Sequence, residues 1–339
     1  MRSDTAILIA TGTEVFRMDA GEGILARSQG ADIGAPTCLA GDPHRRQRCW
    51  CGTARDGVLR SDDGGRTWGP SGLEGRAILS LAASPVRPGL LWAGTEPSAV
   101  WRSDDGGDSW HPTGDLMELP SSSSWAFPPR PDTHHARWIA CHPRDQNRLW
   151  VAVEAGALVA TEDGGRTWRD RVPGGPRDTH ELAIHDALPE TLRVAAGDGY
   201  FESADGGTTW RQPMEGLGVG YLRSVAVDPG DADTVLVSAA SRPRSAYVAG
   251  HSDGSLYRRV GGHPWERVTL GWPDPPATIA PLIRSGTESG ELWAADERGL
   301  HRSTDGGRRW DRVVPFEPAP ANLRGLSILG SGARTGSDE

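Results

Sequence analysis

The chain has 339 residues, 37% hydrophobic and 24% charged, with a net charge of −9 at pH 7, a composition typical of soluble globular domains. All 36 basic residues are Arg, and an acidic balance with no basic stripe excludes a nucleic-acid footprint. No run reaches the roughly 20 apolar residues of a membrane span, and the 45 Gly and 26 Pro fall between short apolar runs, as turns do in an all-β protein.

Near the N-terminus, Ala6-Ile7-Leu8-Ile9-Ala10 is too short for a signal-peptide core and has no cleavage pattern. The expectation is a cytoplasmic protein in which Cys38, Cys49, Cys51 and Cys141 are thiols. Cys49 and Cys51 alternate to one face of a strand, with Cys38 on the adjacent strand. Buried small residues account for them better than a metal site.

From here one unit recurs. A strand ending in Asp-Pro or similar (39–43, 139–143, 225–229) is followed by a second strand containing small residues (50–53, 92–95, 150–153). A third strand leads into a turn, and a fourth carries a Trp. Five turns share one pattern: Ser61-Asp-Asp63-Gly-Gly-Arg-Thr-Trp68, Ser103-Asp-Asp105-Gly-Gly-Asp-Ser-Trp110, Thr161-Glu-Asp163-Gly-Gly-Arg-Thr-Trp168, Ser203-Ala-Asp205-Gly-Gly-Thr-Thr-Trp210 and Ser303-Thr-Asp305-Gly-Gly-Arg-Arg-Trp310. Two weaker copies are Arg258-Arg-Val260-Gly-Gly-His-Pro-Trp265, without the Asp, and Arg17-Met-Asp19-Ala-Gly21-Glu-Gly-Ile24, without the Trp. The chemistry of the turn is structural. Asp and Ser/Thr side chains bond nearby backbone N–H groups, the glycines permit positive φ, and the Trp packs on its blade with an N–H in need of a partner.

The pattern resembles the Asp-box (BNR) repeat of sialidases, sortilin-type receptors and photosystem II assembly factors, and the resemblance covers nearly the whole chain. It implies a β-propeller. Successive Trp residues lie 42, 58, 42, 55 and 45 positions apart, which suits four-stranded blades with two insertions. The N-terminal segment supplies a second, third and fourth strand, and Asn322-Leu-Arg-Gly-Leu-Ser-Ile328 supplies the missing first. That arithmetic gives one seven-bladed propeller over 1–329, closed by pairing the two ends, with 330–339 expected to be a disordered tail.

The repeated turns join third to fourth strands and so lie opposite the face used by enzymes of this resemblance. Both insertions fall on that other face. The first, 115–132, joins blades two and three and carries Trp125, Phe127 and Arg130. The second, 241–253, lies in the fifth blade and carries Arg242, Arg244, Tyr247 and His251. Long loops in economical repeats are usually functional or disordered.

Inner-strand starts bring His134, His135 and Arg137, then Asp178 and His180, then Tyr221 and Arg223, and finally Arg324 to the same mouth. Asp132-Thr-His134 recurs as Asp178-Thr-His180. Arg137, Arg223 and Arg324 sit at comparable places for clamping a carboxylate or phosphate, unless each pairs with a carboxylate such as Glu181 or Asp178. His134, His135, His180 and His251 are candidate ligands for a divalent transition metal, unless they only hydrogen-bond loop backbone.

Resemblance to sialidases implies an arginine triad, an acid/base Asp and a Tyr nucleophile helped by Glu. The Arg-Ile-Pro motif is absent, and of four tyrosines only Tyr221 lies at an inner-strand entrance, so true sialidase activity is not expected. The photosystem II assembly factors imply a binding platform, although the secretion or lipoprotein signal typical of them is missing. Two readings follow. One is a propeller binding a small polar or anionic ligand at His134, His135, Arg137, His180, Tyr221, Arg223 and Arg324, with Arg130 and Trp125 nearby, or a protein partner on the insertion-bearing face. The other is a glycosidase-like hydrolase with candidate groups Asp132, Asp178, Glu181, Glu154 and Tyr221 (and Glu96 and Asp198 nearby), acting on a glycan through two carboxylates about 5–10 Å apart.

Overall fold

In the computed structural model, residues 5–19, 25–30 and 33–330 are described. They form a seven-bladed β-propeller, one sheet per blade, antiparallel apart from Gln29–Gly30, which pairs parallel with Thr67–Pro70 at the edge of the first blade. Counted from Pro36, the inner strands are Pro36–Gly41, Ala77–Ala83, Ala136–Cys141, Thr179–His185, Tyr221–Asp228, Leu282–Ser285 and Leu323–Leu329. Each packs on the next, and the last packs on the first, so the ring is closed. The seventh blade is composite: Leu323–Leu329 pairs antiparallel with Ala6–Thr11, Leu8 opposite Ser327. The tail expected from 330 onward lies, from residue 331, outside the described residues, as do residues 20–24 of the weakest turn copy.

Second strands are covered on both faces by neighbouring blades, so they do not alternate between buried and exposed. Cys49–Thr53, Leu149–Val153 and Leu292–Asp296 are buried along their whole length. Cys49 and Cys51 lie in this buried layer, and Cys38 and Cys141 lie half-buried on inner strands; all four are free. Desolvation pushes Cys38, Cys49 and Cys141 up to about 12, which disfavours the reactive thiolate.

The five strong turns fold alike. In the first, the Ser61 hydroxyl donates to Asp63 at 2.7 Å and accepts the Gly65 N–H at 2.8 Å, while Asp63 accepts the backbone N–H groups of Arg66 and Thr67, both at 2.9 Å. Fourth strands are shorter than the repeat suggests. Only Thr67–Pro70 includes its Trp; Trp110, Trp265 and Trp310 precede theirs, and blades three and four have single bridges, Ala160 to Arg169 and Glu202 to Arg211. The Trp rings are instead fixed by their N–H groups, as in Trp110 to the Ser71 carbonyl at 2.7 Å and Trp168 to that of Gly114 at 3.1 Å. Trp68 has no such partner among the described residues. No helix of the described residues is long and apolar enough to cross a membrane.

Candidate functional site

Six of the seven inner strands carry one β-bulge near their start. The residue left unpaired is Thr37, Leu79, Arg137, His180, Arg223 or Arg324, in blade order one to five and then seven. A bulge re-aims its side chain, and all six line one cavity of about 550 Å³ at the centre of the ring. The cavity has two halves. Blades one and two supply the largely apolar Thr37, Cys38, Leu39, Leu79, Ser80 and Leu81, while the remaining blades supply all the charged groups. Both insertions reach the rim, the first with Phe127, Pro128 and Pro129, the second with Pro243 and Tyr247.

The charged half is a network. Glu154, 5% exposed, accepts through one oxygen from Arg137 and His135, both at 2.6 Å. Burial works against its charge, but Arg137 and the two histidines outweigh this and hold it far below the ordinary carboxylate range. Arg137 also donates to the Tyr247 hydroxyl at 2.8 Å. The Nδ1 atom of His180 lies 2.5 Å from the Leu222 carbonyl, and its Nε2 is 3.3 Å from the Tyr221 hydroxyl. Asp178 accepts the Ala155 N–H at 2.9 Å. Glu181 is held by both guanidinium nitrogens of Arg284 and by Ser224.

Among the described residues, two arginines of the cavity wall pair with no carboxylate. Arg223, 3% exposed, donates only to carbonyls, those of Ala280 and Leu323 at 2.7 Å and Ala246 at 3.4 Å, with Tyr247 stacked on it. Burial, with Arg137 and Arg324 adding to it, brings its pKa down to about 10. Arg324 has no ion pair among the described residues, and burial together with nearby Arg137 lowers its pKa.

Of the expected site residues, the cavity wall takes His135, Arg137, Glu154, Asp178, His180, Glu181, Tyr221, Arg223 and Arg324. The four-histidine metal set is not assembled. His134 turns to the second blade, where it accepts the Ser98 N–H at 3.2 Å, and His251 sits exposed on the second insertion beside Arg244. The group that does converge is Glu154, Asp178 and His180, with one ligand atom from each all within 4.8 Å. Trp125 is no ligand platform: it is buried in the core of blades two and three and bonds Ser121, pinning the first insertion. Arg130 pairs with Glu96 at 2.8 Å. Asp132 is exposed, and neither it nor Asp198 lines the cavity. Sequence reasoning missed Arg284 and gave Tyr247 no place at the inner strands; a short helix, Pro243–Tyr247, delivers that ring.

No family model matches the chain, and no curated protein does either. Solved structures do. The GH74 xyloglucanase of Xanthomonas campestris is 19% identical, with a TM-score of 0.71, over 93% of this chain and 53% of its own. The GH74 enzyme of Niastella koreensis is 16% identical, with a TM-score of 0.70 and the same coverages. YCF48 bound to D1 peptide is 17% identical, with a TM-score of 0.59, over 93% of this chain and 84% of its own. The chain thus spans about half the length of the GH74 structures. At these identities the likeness shows the propeller fold alone.

Proposed function

We propose that the protein binds a small anion, a carboxylate or phosphate on a partly apolar body, in the central cavity. The observation that carries this reading is the pair of cations without a carboxylate, Arg223 and Arg324, on a wall where Arg137 already repels them. An incoming anion relieves that repulsion and gains charge-assisted hydrogen bonds from Arg324. The apolar half of the cavity and the Phe127 and Tyr247 rim then cover the rest of the ligand.

Calorimetric titration with a panel of mono- and dicarboxylates, inorganic phosphate and their neutral amides tests it. Saturable binding of an anion but not its amide is expected, weakened at least tenfold in Arg324→Ala, which removes a guanidinium with no ion pair among the described residues. Equal affinity in Arg324→Ala, or no saturable anion, would falsify the reading.

The glycosidase-like alternative has less to work with. Glu154, Glu181 and Glu96 are each paired with an arginine, so none is free to shuttle protons. What remains on the wall is Asp178, which has no arginine partner among the described residues; Asp198 lies off the cavity. Hydrolysis of a glycan that disappears in Asp178→Asn would favour this alternative over binding alone.

A further inference from the structure

We propose that Glu154, Asp178 and His180 bind one divalent transition-metal ion, best matched by Zn²⁺, on the cavity wall. The site stands apart from the anion reading, because metal uptake is read with no anion present.

The argument starts from His180. It is fully buried, and its Nδ1 faces the Leu222 carbonyl at 2.5 Å. A carbonyl only accepts, so Nδ1 carries a proton; full burial favours the neutral ring, which then presents its lone pair at Nε2. That lone pair faces Glu154 Oε1 at 3.6 Å and Asp178 Oδ1 at 3.7 Å. Three electron-rich atoms so placed favour a cation between them. Metal bonds of about 2.0–2.1 Å in tetrahedral array place ligand atoms about 3.3 Å apart, so the two contacts of Nε2 need shorten by only a few tenths of an ångström. The two carboxylate oxygens, within 4.8 Å of each other, close by side-chain rotation of up to about 1.5 Å.

The outer groups are those a metal site needs. Leu222 fixes the imidazole tautomer. Glu154 uses its other oxygen, Oε2, for His135 and Arg137, while its Oε1 has no hydrogen bond among the described residues. Asp178 Oδ1 is steadied by the Ala155 N–H, from a residue held at φ 53° directly after Glu154. All three residues line the cavity, so a fourth position opens to solvent. In the absence of metal the Tyr221 hydroxyl, 3.3 Å from Nε2, donates to the lone pair. Tyr221 is therefore a competitor of the ion, not a ligand.

The test uses the full chain, stripped with chelator, then titrated with Zn²⁺ against a chromogenic chelator and separately with Co²⁺, whose d–d absorption reports coordination. One equivalent of each ion is expected, with a rise in Tm on Zn²⁺ addition. Asp178→Asn and His180→Gln should weaken binding at least tenfold, whereas Tyr221→Phe should bind as tightly or more tightly. Should His180→Gln fail to fold, Asp178→Asn, a third exposed, carries the comparison. Absence of a stoichiometric equivalent in the wild type, or equal affinity in Asp178→Asn, overturns the site.

Discussion

Glu181 illustrates how a carboxylate can line a cavity and still be unavailable for chemistry. It is 5% exposed and accepts Arg284 at 2.9 and 3.1 Å and the Ser224 hydroxyl at 2.5 Å. Glu181→Gln removes one partner of a largely buried pair, so it should destabilise by about 3 kcal/mol. That is the low end of such cases, because Arg284 keeps 20% of its side chain in solvent; urea denaturation checks it. Glu154 adds a pH dependence. Its folded pKa is depressed, so its contribution is complete above the unfolded value of about 4.3 and fades as pH falls towards the folded value. Glu154→Gln, compared with wild type across pH 6 to 2, should show a stability difference that shrinks in acid. Arg137, Arg223 and Arg324 were legible because each follows a recognisable strand start. Arg284 was not, because the strand Leu282–Ser285 has neither the Asp-Pro or similar ending of strands 36–41, 136–141 and 221–228 nor the place at the chain's end that marks Leu323–Leu329.

At the scale of the element, the repeated turn fastens one blade to the next. Arg17, Arg60, Arg102 and Arg258 each reach from a third strand to a glycine carbonyl in the following blade's turn, those of Gly64, Gly106, Gly164 and Gly306. The second glycine of the turn lies against the preceding blade's second strand: Gly107 near Trp50, Gly207 near Trp150, Gly307 against Leu236. Gly307 has φ +81°, and a Cβ there would fall within the buried Leu236 side chain. Gly307→Ala should therefore cost about 2–3 kcal/mol. Gly262→Ala, in the copy that lost its Asp, meets open space and should change stability by less than about 0.5 kcal/mol. Chemical denaturation of the two variants side by side separates these outcomes. The turn was readable because its hydrogen bonds are local and encoded by adjacent residues. The Thr167 hydroxyl and N–H bring Asp163 down to about 2, and the N–H and hydroxyl of Thr209 do the same for Asp205. The insertions have no such code: Trp125 turns into the core and Tyr247 onto the cavity because of partners distant in sequence.

For the whole molecule, ring closure makes the cavity depend on both ends of the chain. Leu323–Leu329 has Ala6–Thr11 on one side in register, and Leu323, Leu326 and Leu329 are each no more than 3% exposed. The same strand supplies Arg324 to the wall and the Leu323 carbonyl to Arg223. Blade number could be counted from the repeat, and the pairing of the ends followed from one strand being absent at the start and present at the finish. The cavity's charge balance did not follow, since it depends on which arginine meets which carboxylate across blades. Removing residues 323–339 should thus do more than delete one strand. It exposes the edge of Ala6–Thr11, opens the apolar contact with the first and sixth blades, and takes a carbonyl from a buried guanidinium, costing about 1–3 kcal/mol for that group alone. The expected result is loss of the single cooperative unfolding transition by calorimetry, accompanied by self-association through the freed edge. Supplying the missing strand as a separate peptide spanning 321–331 should restore a cooperative transition in proportion to peptide concentration. A truncated chain that still melts in one transition near the wild-type temperature would mean that six blades hold the ring without their closure.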